Sequence, residues 1–298
     1  MKIAALQMVS TPEVAQNIET AVRLIAQAAA QGAQLVALPE YFCLMGRNDR
    51  DKLAIAEAFG AEPLRVESRL VDSQAGTGLA GGPIQRALAG AARRHALWVI
   101  GGTLPLATPD AERVRNSSLV FAPDGSLAAR YDKMHLFAFD NGRERYDENR
   151  VLEAGSAPVA LKCGALRVGL SVCYDLRFPE LYRALMHPPC DLLAVPSAFT
   201  HTTGAAHWEL LLRARAVENQ AYVIAPAQGG THVNGRRTWG HSMIVDPWGE
   251  VLNVLDEGEG VVLADVDTAR LADVRRQLPA LDHRRVNVAR PPDPEGAS

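Results

Sequence analysis

The chain is predicted to be an α/β protein whose sheets mix parallel and antiparallel strands, and two observations lead there. Apolar, β-rich runs alternate with segments of helical periodicity, the pattern of helix layers covering sheets. Two turn signals, Pro123-Asp-Gly-Ser126 and Asp246-Pro-Trp-Gly-Glu250, each lie between β-rich runs, and a hairpin requires antiparallel neighbours. The 298 residues, 48% hydrophobic and 22% charged, are enough for a sizeable core. No short repeat and no strong linker divides them. One domain is expected over 1–285, followed by a flexible Pro-rich tail over 286–298.

Taken in order, Lys2–Met8 reads as a buried strand. A helix follows, with Thr11 placed to cap it, Pro12 at its first position and Gly32 at its end. Val14, Ile18, Val22 and Ile25 share one of its faces. Residues 34–38 form the next strand, closed by Pro39. Residues 83–95 form a helix that aligns Ile84, Leu88 and Ala91, and 97–103 return as a strand. The first hairpin pairs 117–122 with 127–131. Later strands are expected over 167–172, 192–196, 222–226, 241–245 and 251–255, and helices over 179–186, 205–219 and 268–277. The stretch 61–82, rich in small residues, reads as a surface insertion.

The bulk numbers exclude several classes. A net charge of -3 leaves no footprint for nucleic acid. The opening Met1–Met8 turns polar too soon for a secretory signal, and no apolar run reaches membrane-spanning length. Cys43, Cys163, Cys173 and Cys190 show neither a C-x-x-C pair nor zinc-like spacing, which suits a reducing compartment and predicts a cytoplasmic protein. No His/Asp/Glu pair has ligand spacing on one helix, so no metal site is expected.

Chemistry enters at three strand ends. Cys173 closes the run Val168–Val172, Glu40 follows Leu35–Pro39, and Lys133 follows Leu127–Asp132. Such edges of a sheet are where ligands bind in open α/β folds. A carboxylate can take the thiol's proton during attack on a carbonyl. An ammonium offsets the repulsion between carboxylate and thiolate and stabilises the oxyanion. The backbone N–H of Tyr174 is a second candidate donor. Singly, each residue also fits a plainer role: a small core thiol, a helix first-turn acid, a surface lysine. A papain-like Cys–His pair could draw on His135, His201, His207 or His241, but none has a distinctive spacing to Cys173.

Three motifs act jointly. Leu38-Pro-Glu-Tyr-Phe42, Tyr131-Asp-Lys-Met-His-Leu-Phe137 and Val172-Cys-Tyr-Asp-Leu-Arg-Phe-Pro-Glu180 resemble the three signatures of the nitrilase-like carbon–nitrogen hydrolases, in the family's order, within a likeness running from about Lys2 to Arg285. The resemblance implies an αββα sandwich, a Glu40–Lys133–Cys173 triad and no metal or organic cofactor. It also implies a second active-site glutamate after the lysine, orienting Lys133 and the attacking water. Glu148 matches that residue, with Glu144 and Glu153 as rivals. Dimers across one helical face are usual in the family, so a homodimer or higher homo-oligomer is expected, with 179–186 and 205–219 as contact helices.

The acyl group is narrowed by resemblance alone. Pro196–Glu209 is similar to the branch hydrolysing small carboxylated ω-amides, and Ala227–Ser242 looks most like the deaminated glutathione amidases, which release 2-oxoglutarate and Cys-Gly. An ω-amidase acting on 2-oxoglutaramate is the alternative, and a non-catalytic interaction protein on the same fold is the reading from another class. An anionic substrate needs cations. Arg177 is one candidate, unless it pairs with Glu180 or Asp175, and Arg236 and Arg237 could meet a distal carboxylate. Phe199 and Thr200 are further pocket candidates, and the 61–82 insertion could cover the mouth.

Overall fold

A computed structural model describes residues 1–59 and 81–286. The expected insertion and tail therefore lie, apart from their edges, outside the described residues. The first half of the chain runs β1 (Lys2–Gln7), α1 (Val14–Ala30), β2 (Leu35–Ala37), α2 (Asp51–Ala54), α3 (Pro83–His95), β3 (Trp98–Ile100), β4 (Leu104–Ala107), β5 (Val114–Phe121), β6 (Leu127–Asp132), β7 (Ala138–Asp140) and β8 (Arg145–Asp147). The second half runs β9 (Val159–Cys163), β10 (Leu166–Leu170), α4 (Pro179–Ala184), β11 (Leu192–Ala194), α5 (His201–Asn219), β12 (Tyr222–Ala225), β13 (Gly229–Thr231), β14 (Arg237–Trp239), β15 (Ser242–Val245), β16 (Val251–Leu255), β17 (Gly260–Asp265) and α6 (Thr268–Gln277). Single 3-10 turns cover Glu148–Arg150 and Cys173–Arg177.

Two mixed sheets result. The 7-stranded sheet is ordered β17-β1-β2-β3-β5-β4, with β6 also on β5, and the 6-stranded sheet is ordered β16-β15-β12-β11-β10-β9. Each has a parallel centre, β1-β2-β3 in one and β10-β11-β12 in the other, with antiparallel strands outside. The parallel strands are buried on both faces, which is why they read as continuous apolar runs. Alternate residues of β1 go to different cores. Ile3 and Ala5 join Val168, Leu170 and Ile224 between the sheets. Ala4 and Leu6 pack against Leu24, Ile25, Ile84 and Leu88 of α1 and α3. Trp208, Leu212 and Leu181 cover the second sheet from α5 and α4. The layers are thus helix, sheet, sheet, helix, the αββα sandwich that the motifs imply.

Several boundaries differ from expectation, three of them with a visible local cause. Helix α1 starts at Val14, and its N-cap is Glu13 without a side-chain bond. Thr11 instead lies just before a bend at Pro12, where its hydroxyl accepts from the Glu13 N–H and its own N–H donates to Asn17 Oδ1 at 2.8 Å. The strand expected over 97–103 stops at Ile100, because Gly102, at φ 54°, turns the chain towards β4. Helix α5 begins at His201, four residues early, because the Thr200 hydroxyl accepts from the Thr203 N–H and caps it.

Candidate active site

The C-terminal ends of parallel strands from both sheets meet at one cavity. Glu40 follows β2. Gly102, beyond β3, lies so close to it that a Cβ would stand 2.1 Å from the Pro39 carbonyl, so only glycine admits this approach. Lys133 follows β6, held by its N–H to the Asn116 carbonyl at 3.0 Å and its carbonyl to the Gly155 N–H at 2.9 Å. Cys173 opens a 3-10 turn after β10 and has φ 50°, strained for a non-glycine residue. Its N–H donates to the Pro196 carbonyl beyond β11 at 2.9 Å.

Lys133 bridges two carboxylates. Its Nζ is 2.9 Å from Glu40 Oε1 and 2.8 Å from Glu148 Oε2, and the Lys133 and Glu40 side chains are each 1% exposed. Glu40 also accepts from Asn116 Nδ2 at 2.9 Å and from the Ala198 N–H at 3.1 Å. Glu148 also accepts from the Tyr41 hydroxyl at 2.6 Å and the Phe137 N–H at 2.7 Å. The rivals lie elsewhere: Glu144 holds Thr202, and Glu153 holds Arg115.

These contacts set the charges. Burial alone would lower the proton affinity of Lys133, but Glu148 and Glu40 outweigh it and the ammonium is held well into the alkaline range. Burial would raise Glu148, but Lys133 and the hydrogen bonds to it outweigh that and keep it below the usual carboxylate range. The Cys173 thiol, 8% exposed, is pushed well up by burial and then by Glu40, with Lys133 opposing. The resting sulfur is therefore a neutral thiol beside a carboxylate.

Glu40, Glu148, Cys173, Tyr174, Arg177, Phe199, Thr200 and Arg236 all line one cavity. The Tyr174 N–H meets no acceptor among the described residues. Arg177 makes neither of the ion pairs considered for it. Its guanidinium lies over Phe199 and Tyr174 and reaches His207 Nδ1 at 3.3 Å, while Asp175 is engaged by Tyr131 and His135. Arg236 donates to the Ala198 carbonyl at 2.9 Å, stacks over Tyr146 and leaves its buried Nε without a partner. Arg237 is a correction, since it pairs with Glu257 on the surface away from the cavity. Sequence reasoning missed Phe137, Ala198 and Thr203 in the lining, and Asn116 and Tyr41 behind the carboxylates. Their only signal was closeness to a motif or to a strand end.

The candidate histidines stand apart from the thiol. His135 bonds Asp175 and stacks on Phe178, His241 stacks on Trp239 just before β15, and His201 meets Trp239 edge-on. His207 lies within α5, not at its start. Among the described residues no group of three His, Cys, Asp or Glu side chains is arranged to hold a metal ion.

A thiol, a carboxylate and a buried ammonium thus share the rim of an αββα sandwich, an arrangement suited to amide hydrolysis. The carbon-nitrogen hydrolase family model matches residues 2–276, and the chain belongs to that family. It is an amidase whose relatives are well defined. A deaminated glutathione amidase of Synechocystis sp. is 39% identical over 285 residues, covering 94% of this chain and 97% of that protein. The human protein named Omega-amidase NIT2 is 34% identical over 288 residues, covering 96% of each. The crystal structure of Saccharomyces cerevisiae Nit3, a member of branch 10 of the nitrilase superfamily, superposes with a TM-score of 0.79 at 27% identity, covering 96% of this chain and 97% of that one.

Proposed function

We propose that this amidase works through a thioester on Cys173 and that its substrate is deaminated glutathione, cleaved to 2-oxoglutarate and Cys-Gly. The observation that carries the reading is Lys133 clamped between Glu40 and Glu148 beside the buried thiol, in a cavity that also holds two guanidinium groups. Glu40 takes the Cys173 proton as sulfur attacks the amide carbonyl. Lys133 Nζ and the Tyr174 N–H stabilise the oxyanion. The intermediate collapses, the C–N bond breaks, and protonated Glu40 gives its proton to the leaving amine. Water, deprotonated by Glu40 and oriented near Glu148, opens the thioester, and the proton returns to sulfur as the acid departs. The neutral resting thiol supports proton transfer concerted with attack over a standing thiolate.

The substrate reading rests on the relatives' names and on Arg177 and Arg236, which suit the carboxylates of a dianion. Phe199 and Thr200 line the space between. An ω-amidase reaction on 2-oxoglutaramate shares the acyl half and differs in releasing ammonia, and the NIT2 likeness favours it as second reading. Exposed Leu210 (69%) and Val217 (50%) on α5 support association of two copies through the α4–α5 face. A Leu210→Arg variant should then elute later than wild type in size-exclusion chromatography. Four unpaired cysteines support a reducing, cytoplasmic setting, and no helix among the described residues is long and apolar enough to cross a membrane.

The test is intact mass after brief exposure to deaminated glutathione. Cys173 should gain the 2-oxoglutaryl group, and Cys173→Ala should gain nothing and turn over nothing. Equal turnover by that variant removes the mechanism, and a higher kcat/KM for 2-oxoglutaramate removes the substrate choice.

A further inference from the structure

One buried carboxylate has no place in the chemistry above. Asp175 is fully buried, on the turn that opens with Cys173. Its Oδ2 accepts from the Tyr131 hydroxyl at 2.7 Å and the Val172 N–H at 2.8 Å. Its Oδ1 accepts from the His135 N–H at 3.0 Å, with His135 Nδ1 at 2.7 Å. Every partner bears on a reacting group. Val172 directly precedes Cys173, and Tyr131 and His135 stand two residues either side of Lys133. Tyr131 lies in β6 on the 7-stranded sheet, whereas Val172 follows β10 on the 6-stranded one.

We infer that Asp175 is a positioning residue that fixes the Cys173 turn against the Lys133 strand end across the seam between the two sheets. A purely structural tie would not need an anion there, because a buried charge is costly and an apolar pair often serves stability better. What the site requires is an acceptor with no hydrogens, since the donors arrive from both segments at once. An asparagine would turn an NH2 group against one of them. The tie also opposes relaxation of the strained φ at Cys173, because the Val172 N–H donates to Asp175, which the Tyr131 hydroxyl and the His135 N–H hold from the Lys133 segment.

The inference rests on Cys173 as nucleophile, and its test separates the two. Asp175→Asn and Tyr131→Phe are made in the full chain. Steady-state kinetics are followed together with the rate at which iodoacetamide alkylates Cys173, read by mass. Circular dichroism checks the fold. A misplacement near 1 Å costs on the order of 100-fold, so Asp175→Asn should lower kcat by about that factor and Tyr131→Phe by roughly tenfold. KM should stay within about threefold and alkylation should slow in parallel. A folded variant with kcat and alkylation near wild type overturns the inference, as does a change confined to KM or to melting temperature. Should Asp175→Asn fail to fold, Tyr131→Phe, which removes one hydroxyl, decides alone. Turnover by Cys173→Ala would instead sink the nucleophile assignment.

Discussion

At the residue scale, the site is a short line of charge, carboxylate–ammonium–carboxylate, with a neutral thiol at one end. Glu40→Gln keeps the shape and removes the base, so turnover should fall by about 100- to 10,000-fold with the fold intact, as measured by kinetics beside circular dichroism. Lys133→Ala leaves two buried carboxylates facing one another. It should abolish turnover and destabilise the protein by about 3–5 kcal/mol in urea unfolding. The shifted groups also set a pH window. Glu148 is held low, so its contribution is present above its unfolded value of about 4.3 and is lost as pH falls through the folded value. The buried thiols are held high, Cys190 pushed up to about 12, so theirs is present below an unfolded value of about 8.5 and is lost as pH rises. His232, buried and pushed down to about 4, adds a loss as pH falls below its unfolded value of about 6.5. Melting temperature should therefore be highest near pH 7 to 8 and fall on either side, and a Tm still climbing from about pH 8 to 10 would contradict this.

At the element scale, the strand ends do the positioning, and Gly102 is the clearest case. A methyl there collides with the Pro39 carbonyl, so Gly102→Ala should displace Glu40 and depress kcat far more than it alters far-UV circular dichroism. By contrast, Asp267 caps α6 through the Ala269 and Arg270 N–H groups, remote from the cavity. Asp267→Ala should cost about 1 kcal/mol in denaturant unfolding and leave kcat unchanged. The apolar run of β1 and the helices α3 and α6 were legible in the sequence at nearly their observed bounds. The short strands β4, β9, β13, β14 and β17 were not. β13, Gly229–Thr231, is three residues with two glycines and carries no apolar alternation, so only its partner in space defines it. The α5 start was missed for a related reason. Thr200 was read as a pocket residue, and its capping role depends on the chain turning there.

At the scale of the whole molecule, Glu40, Lys133 and Cys173 were each legible because a strand end followed by a polar residue leaves a local trace. Their meeting was legible only through the joint motifs, because Glu40 and Lys133 come from one sheet and Cys173 from the other. Tyr41 and Asp175 stand inside two of the motifs and Asn116 beside a strand end, but their roles were not legible, since a polar residue there looks the same whether it faces water or a buried partner. If the sheets fold as one unit, activity and near-UV circular dichroism should vanish at the same urea concentration, and separated midpoints would show that the leaves come apart independently. The seam has a wider consequence. A newly made amino-terminal portion carries Glu40 and Lys133 without Cys173, and the later portion carries Cys173 without either. Under the proposed mechanism neither piece attacks an amide alone, and a chain cut between β8 and β9, whose later fragment still supplies β17 to the first sheet, should yield fragments that regain activity only on reunion.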